Sequence, residues 1–317
     1  MHSFSSLDHI PYRRDSHVTL GTFDGIHRGH RRIIDELVRR AKKHDARSVL
    51  ITFDPHPQRV VKGDAEGVGM LTPLEEKLAI LETLDLDAVL ILPFDDVLRG
   101  MEPEAFVEEI LVGRIGMQEF ILGFNHAFGK QRRGNVDLLE RTGRAHGFRV
   151  DVIPPVKADG GIVSSTRIRA LIHGGKVAEA GRLLGRSYSL EGLVREGKRI
   201  GGVLGFPTAN VDVFHEEKLL PADGVYAVMV RMGDRAMPAM ANLGFSPTLK
   251  DEIHRIEVHI HDFTGDLYDQ RLRIEFVERI RAEETFDSVE ALVEQMKIDR
   301  QRSLRIIKRN LRRNTWD

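Results

Sequence analysis

Two histidines three residues apart, His27 and His30, follow two glycines, Gly21 and Gly25, in the segment HVTLGTFDGIHRGH. The segment reads as a β-strand, a glycine-punctuated turn and the start of a helix. Glycines let backbone approach a ligand closely, and the first helical turn offers unpaired N–H groups to an anion. At a spacing of three the imidazoles share one helix face. Donors fixed in this way suit nucleotidyl transfer, in which charge grows on an α-phosphate attacked in line while pyrophosphate leaves. The competing interpretation is a pair of surface histidines on a capped helix.

Farther along, SSTRIR (Ser164 to Arg169) precedes another helical run. Ser and Thr at a helix start are ordinary N-caps. Arg167 and Arg169 add charge where hydroxyls and N–H groups already favour phosphate, which fits a β/γ-phosphate clamp. In the second half GFPTAN (Gly205 to Asn210) would pass for a turn on composition alone. Thr208 and Asn210 nevertheless bring a hydroxyl and an amide oxygen, hard ligands suited to Mg2+ on an ATP phosphate. The run RIEVHIHDF alternates so that Ile256, Val258 and Ile260 share one face and Arg255, Glu257 and His259 the other. Glutamate is disfavoured inside a strand, and Glu257 is placed to take the proton from an alcohol attacking a γ-phosphate. A cross-strand ion pair with Arg or Lys is the alternative.

The elements that must position these groups follow two textures. From His17 short β-rich runs (HVTLGTF, SVLITF, AVLILPF, MQEFILGF, FRVDVIP) alternate with helical stretches (RRIIDELVRRAKKH, PLEEKLAILETL, EPEAFVEEILV, GNVDLLERTGRAHG). That order predicts βαβ units and a doubly wound parallel sheet of about five strands, an α/β Rossmann-like domain. Two more helical runs, STRIRALIHGG and KVAEAGRLLG, close it, which places domain limits at 1–185 and 186–317. After Gly185 period-two runs separated by Gly, Pro and Asp turns predict an antiparallel barrel, and a terminal helix is expected from about Asp287 to Arg312.

With 317 residues the chain is long for one core, and 47 Lys plus Arg against 48 Asp plus Glu give no electrostatic excess toward nucleic acid or anionic membrane. The basic run RIIKRNLRRN therefore reads as the solvated face of the terminal helix. The absence of cysteine removes thiolate catalysis, disulfides and Cys-ligated zinc. No run of about 18 apolar residues occurs, and no apolar signal region opens the chain, so a cytoplasmic location without membrane partner is expected.

The pairing of an HxGH turn with an SSTxIR segment resembles the HxGH-type nucleotidyltransferases. With GTFDGIHRGH, DPHP, LTPLEEK, SSTRIR, GFPTAN, NLGFSPT, EVHIHDF and DLY in order, the chain looks like the bacterial bifunctional riboflavin kinase/FMN adenylyltransferases, or FAD synthetases, over nearly its whole length. The resemblance implies an N-terminal domain that joins AMP from ATP to FMN and a C-terminal six-stranded barrel that phosphorylates riboflavin. It implies that His27 and His30 stabilise the transferred phosphate while Ser164, Thr166 and Arg167 hold pyrophosphate. Gly21, Phe23, Asp24, Gly25 and Asn125 would line the first ATP site, and Gly205 and Pro207 the second. Thr208 and Asn210 would coordinate Mg-ATP, and Glu257 would act as base on the ribityl 5′-hydroxyl. Three positions depart from the family pattern: Gly201-Gly202 lacks an expected arginine, Asp269 stands where glycine is usual, and His126 replaces a common aromatic. The HxGH segment alone leaves the acceptor open, a phosphopantetheine or nicotinamide mononucleotide included. Loss of kinase activity would leave the barrel a flavin-binding module.

Overall fold

The computed structural model describes residues 1–62, 69–124, 128–130, 134–196, 204–245 and 254–313. Asn125, His126, Gly201, Gly202, Ser246 to Thr248 and Trp316 lie outside the described residues. The chain divides into two compact units, Met1–Ser164 and Ser165–Asp317.

The first unit is built on a parallel sheet. Its strands are β1 (His2–Phe4), β2 (Ser16–Leu20), β3 (Arg47–Asp54), β4 (Ala88–Pro93), β5 (Met117–Gly123) and β6 (Arg149–Ile153), in the order β1-β4-β3-β2-β5-β6. The five expected strands are present, and β1 adds a three-residue edge beside β4. Alternate residues feed two cores. Val18, Leu20, Val49, Ile51, Leu90, Phe120 and Leu122 pack on one face, whereas Leu50, Val89 and Ile121 pack on the other. Helices α1 (Arg28–Lys43) and α3 (Leu74–Glu82) cover the second face through Ile34, Leu37, Val38 and Leu81. Between them in sequence lies the short α2 (Pro57–Lys62), and α4 (Asp96–Gly100) follows β4. The stretch expected as a plain helix before β5 starts as α5 (Pro103–Ala105) and runs on as a π-helix, Phe106–Ile115. Its buried Phe106, Ile110, Leu111 and Ile115 recur every four to five residues, a period that matches i→i+5 turns better than 3.6. With α6 (Val136–His146), this segment covers the first face. A two-strand ribbon, β7 (Lys157–Ala158) and β8 (Gly161–Ile162), ends the unit.

Strand order reverses between β2 and β5, and the crevice outside the carboxyl ends of strands at such a switch is where open α/β sheets bind ligands. The HxGH turn leaves the carboxyl end of β2.

The second unit opens with α7 (Ser165–His173) and α8 (Val177–Leu184), the two expected helices. Strands β9 (Tyr188–Arg195), β10 (Ala209–Val213), β11 (Gly224–Met232), β12 (Arg235–Phe245), β13 (His254–Ile260) and β14 (Arg271–Arg281) form a closed antiparallel barrel in the order β10-β13-β12-β11-β14-β9. Closure through the β9–β10 pairing leaves no open sheet edge. Helix α9 (Val289–Arg313) packs on β11 and β14, with Ile307 against Ala227 and Val277.

One bond between barrel and helix makes stability depend on pH. The Ser303 hydroxyl donates to the Ala239 carbonyl (2.9 Å), so His261 Nε2, 3.0 Å away, must be the donor to Ser303 Oγ. Neutral His261 therefore carries no proton on Nδ1, and protonation would place an N–H there with no acceptor. Burial, reinforced by His259 and Arg300 and opposed by Asp262, pushes the His261 pKa down to about 4 from 6.5. A histidine whose folded pKa is depressed contributes stability above its unfolded pKa, and loses it as pH falls toward the folded one. Thermal denaturation should show a midpoint that drops between pH 6.5 and about 4, and a His261→Gln protein should show a shallower drop over that window. Equal slopes would disprove the assignment.

Candidate active site

His27 is the N-cap of α1, with extended backbone (φ −73°, ψ 172°), and its Nδ1 accepts the His30 backbone N–H at 3.2 Å. An imidazole nitrogen that accepts carries no proton, so neutral His27 has its proton on Nε2 and that atom is a donor. The two rings stack, with centroids 3.6 Å apart and planes inclined by 17°. Phe23 meets His30 edge-on at 5.2 Å. The glycine between the histidines leaves room for the His27 ring: a Cβ on Gly29 would press on it, 3.1 Å from Cε1 and Nδ1.

The turn ahead of α1 is tightly wound. Phe23 (φ 46°) and Ile26 (φ 34°) join Gly25 (φ 90°) in left-handed conformations. Such backbone persists in non-glycine residues only where the surroundings hold it. Asp24, buried, accepts the Thr72 N–H at 2.9 Å, the Leu71 N–H at 3.2 Å and the Thr72 hydroxyl at 3.2 Å. Thr72 Oγ1 in turn accepts the Gly25 N–H at 2.8 Å. Lys77 supports the same turn from α3, donating to the Thr22 carbonyl (2.8 Å) and Thr52 Oγ1 (3.2 Å). Burial lowers the Lys77 pKa, an effect that Asp24 and Asp54 oppose. Thr72 and Lys77 fall within the LTPLEEK motif, to which sequence reasoning assigns no role. A lysine at the apolar spacing of Leu74, Lys77, Leu78 and Leu81 was the available signal.

Ser164 closes the first unit, next to Val163, whose carbonyl lies 3.7 Å from the point where a Gly29 Cβ would stand. Thr166 and Arg167 belong to the second unit, in the first turn of α7. Asn125 is among the residues not described.

In the barrel, Gly205 adopts φ 80° and opens the GFPTAN turn toward β10. His259 Nδ1 bonds the Pro207 carbonyl at 2.9 Å, and its ring meets the buried Phe206 edge-on at 5.2 Å. The turn is thus fastened to β13, a role for His259 that its alternation pattern alone did not indicate. Glu257 on β13 stands opposite Asn210 on β10 and opposite Asn242 on β12. Directly paired antiparallel residues have Cβ atoms roughly 5 Å apart on one face, so carboxylate and both amides form a row. Neither residue opposite Glu257 is a cation. Burial raises the Glu257 pKa, with Arg255 two residues away acting against the shift. Asp269 takes up the left-handed φ of 56° where glycine is usual, and is tied by its N–H to the Val194 carbonyl (3.0 Å) and by Oδ1 to Arg195 (3.0 Å).

Comparisons with known proteins also match the chain in two parts. Residues 9–167 match the FAD synthetase family model, and residues 184–307 match the riboflavin kinase model. A bifunctional riboflavin kinase/FMN adenylyltransferase of Pseudomonas fluorescens is 36% identical over 283 residues, 89% of this chain and 90% of that protein. The Bacillus subtilis (strain 168) protein of the same name is 31% identical over 301 residues, 93% of each. A crystal structure from Streptococcus pneumoniae, described as a macrolide-efflux protein, superposes with a TM-score of 0.86 at 30% identity and covers 95% of this chain and 97% of its own. Among the described residues of this chain no helix is long and apolar enough to cross a membrane.

Proposed function

The chain belongs to the bifunctional riboflavin kinase/FMN adenylyltransferase family, and from that premise we infer how its own residues divide the work between two phosphate sites. It phosphorylates riboflavin to FMN with ATP, and adenylylates FMN to FAD with release of pyrophosphate.

In the adenylyltransferase, an FMN phosphate oxygen attacks the α-phosphorus of ATP while the bond to the bridging oxygen breaks and pyrophosphate leaves with that electron pair. His27 and His30 donate to the α-phosphate oxygens, where charge accumulates. Gly21, Phe23 and Gly25 form the backbone wall of the ATP site. Asp24 acts through the turn it holds to Thr72. By likeness to the family, Ser164, Thr166 and Arg167 are assigned to pyrophosphate and Asn125, outside the described residues, to the same ATP. The stacked pair at the switch point of the sheet supports this assignment.

In the kinase, Glu257 removes the proton of the ribityl 5′-hydroxyl as its oxygen attacks the γ-phosphorus and ADP leaves. A desolvated carboxylate is a stronger base than one in water, which suits the task. Thr208 and Asn210 supply hard oxygen donors that fit Mg2+, and the amide of Asn210 stands beside the carboxylate of Glu257 in register. Bound there, the ion would neutralise phosphate charge. Gly205 and Pro207 present the turn to ATP. We place the functional limits at 1–185 and 186–317, in keeping with the riboflavin kinase match starting at residue 184. We assign the enzyme to the cytoplasm, with riboflavin, FMN and ATP as its ligands and neither nucleic acid nor membrane as partner.

Purified protein given riboflavin, ATP and Mg2+ should accumulate FMN and then FAD by chromatography, with pyrophosphate appearing only alongside FAD. FMN that never proceeds to FAD would overturn the adenylyl half; FAD formed only from added FMN would overturn the kinase half.

A further inference from the structure

At the opposite end of β2 from the HxGH turn, three side chains that neither reaction uses converge. His17 on β2 and Glu119 on β5 are register partners, and His44 is the C-cap of α1. Their candidate ligand atoms all lie within 4.8 Å of one another. His17 and Glu119 are buried, with side chains 6% and 7% exposed.

His17 Nδ1 lies 3.1 Å from Glu119 Oε2, close enough for an ion pair, but it makes no hydrogen bond there or elsewhere. A buried polar nitrogen without a partner costs free energy and calls for one. Glu119 is turned toward the same volume: Arg40 Nη1 holds its other oxygen at 2.6 Å, and Arg40 is fixed in turn by Glu36 (2.7 Å) and Asp151 (2.6 Å). The His44 ring lies 5.3 Å from that of His17, inclined by 57°.

We propose that His17, His44 and Glu119 form a site for a divalent transition-metal ion of the zinc class, which ties β2, β5 and the end of α1 together. Tetrahedral Zn2+ with bonds of about 2.0–2.2 Å keeps neighbouring donor atoms about 3.3–3.6 Å apart. The His17–Glu119 edge already has nearly that length. His44 is exposed at a helix end, where its side chain can rotate to close the remaining gap. Two imidazoles favour Zn2+ over Mg2+, which prefers oxygen donors. The Arg40 bridge to Glu119 acts as the outer hydrogen bond that orients a metal-binding carboxylate.

The test uses full-length protein stripped with chelator and titrated with ZnSO4 by calorimetry, with thermal denaturation alongside. One Zn2+ should bind per chain with micromolar or tighter affinity and raise the unfolding midpoint, and Co2+ should give the intense visible bands of four-coordination. His44→Ala, at an exposed position, and the isosteric Glu119→Gln should each weaken binding at least tenfold and remove the thermal shift. A His27→Ala/His30→Ala protein, lacking the other histidine pair, should retain both. Absence of saturable binding, undiminished affinity in His44→Ala, or loss in the His27/His30 variant instead would each overturn the site.

Discussion

His30→Ala should lower the rate of pyrophosphate release from FMN and ATP by about 10²–10³-fold and leave ADP release from riboflavin and ATP unchanged. Removing one fixed donor from a site of developing charge costs on that order, about 3 kcal/mol of transition-state stabilisation. The fold should tolerate the change. His30 is the third residue of α1, alanine is the best helix former, and the N-cap bond to His27 Nδ1 uses the backbone N–H at residue 30, which the substitution keeps. The ring contacts to His27 and Phe23 are lost, so a modest fall in unfolding midpoint is expected. Quenched-flow or coupled pyrophosphate assays at saturating FMN separate the two effects: a lost donor lowers kcat, whereas a displaced turn would raise KM for ATP. Pyrophosphate release at the wild-type rate would eliminate His30 from the chemistry.

The HxGH site was legible because its determinants are local. Strand, glycine turn and helix succeed one another within fourteen residues, and the spacing of the histidines fixes their common face. What holds the turn in place was not legible, because it comes from far along the chain. Thr72 and Lys77, 47 and 55 residues away, pin Gly25 and Thr22. The same contrast separates the predicted strands from β1, whose three residues carry too little pattern to be read and which is defined only by pairing with β4. Alternation along β13 correctly put Glu257 off the buried Ile256–Val258–Ile260 set. Nothing in alternation could choose between an ion pair and a base, since that choice depends on what β10 and β12 bring opposite. Register supplies two asparagines there. Asp269 shows the reverse case: an aspartate in a glycine position is compatible with a left-handed turn, because Asp and Asn enter that region more readily than most residues.

Those two asparagines make Glu257→Gln the sharper experiment on the barrel. The substitution should reduce FMN formation from riboflavin by about 10²–10⁴-fold, the usual worth of a general base, while FAD formation from added FMN continues. It should also raise, not lower, the unfolding midpoint near neutral pH. The sign follows from the raised pKa: burial disfavours the ionised form, so the folded protein binds this proton more tightly than the unfolded chain does. The stability associated with the protonated form is present below the unfolded pKa and lost as pH rises through the folded one, and at pH 7 the native protein carries an unfavourably desolvated charge. Glutamine keeps the shape and removes that charge. Wild-type FMN formation should climb with pH through the Glu257 pKa, above the ordinary value of 4.5, and the variant should lack that limb. Had the carboxylate been one half of a stabilising ion pair, glutamine would instead lower the midpoint and leave phosphorylation within a few-fold of wild type. Measuring both quantities on one preparation therefore separates catalytic base from structural charge, since the two roles predict opposite shifts of the midpoint and a large rather than a small loss of phosphorylation.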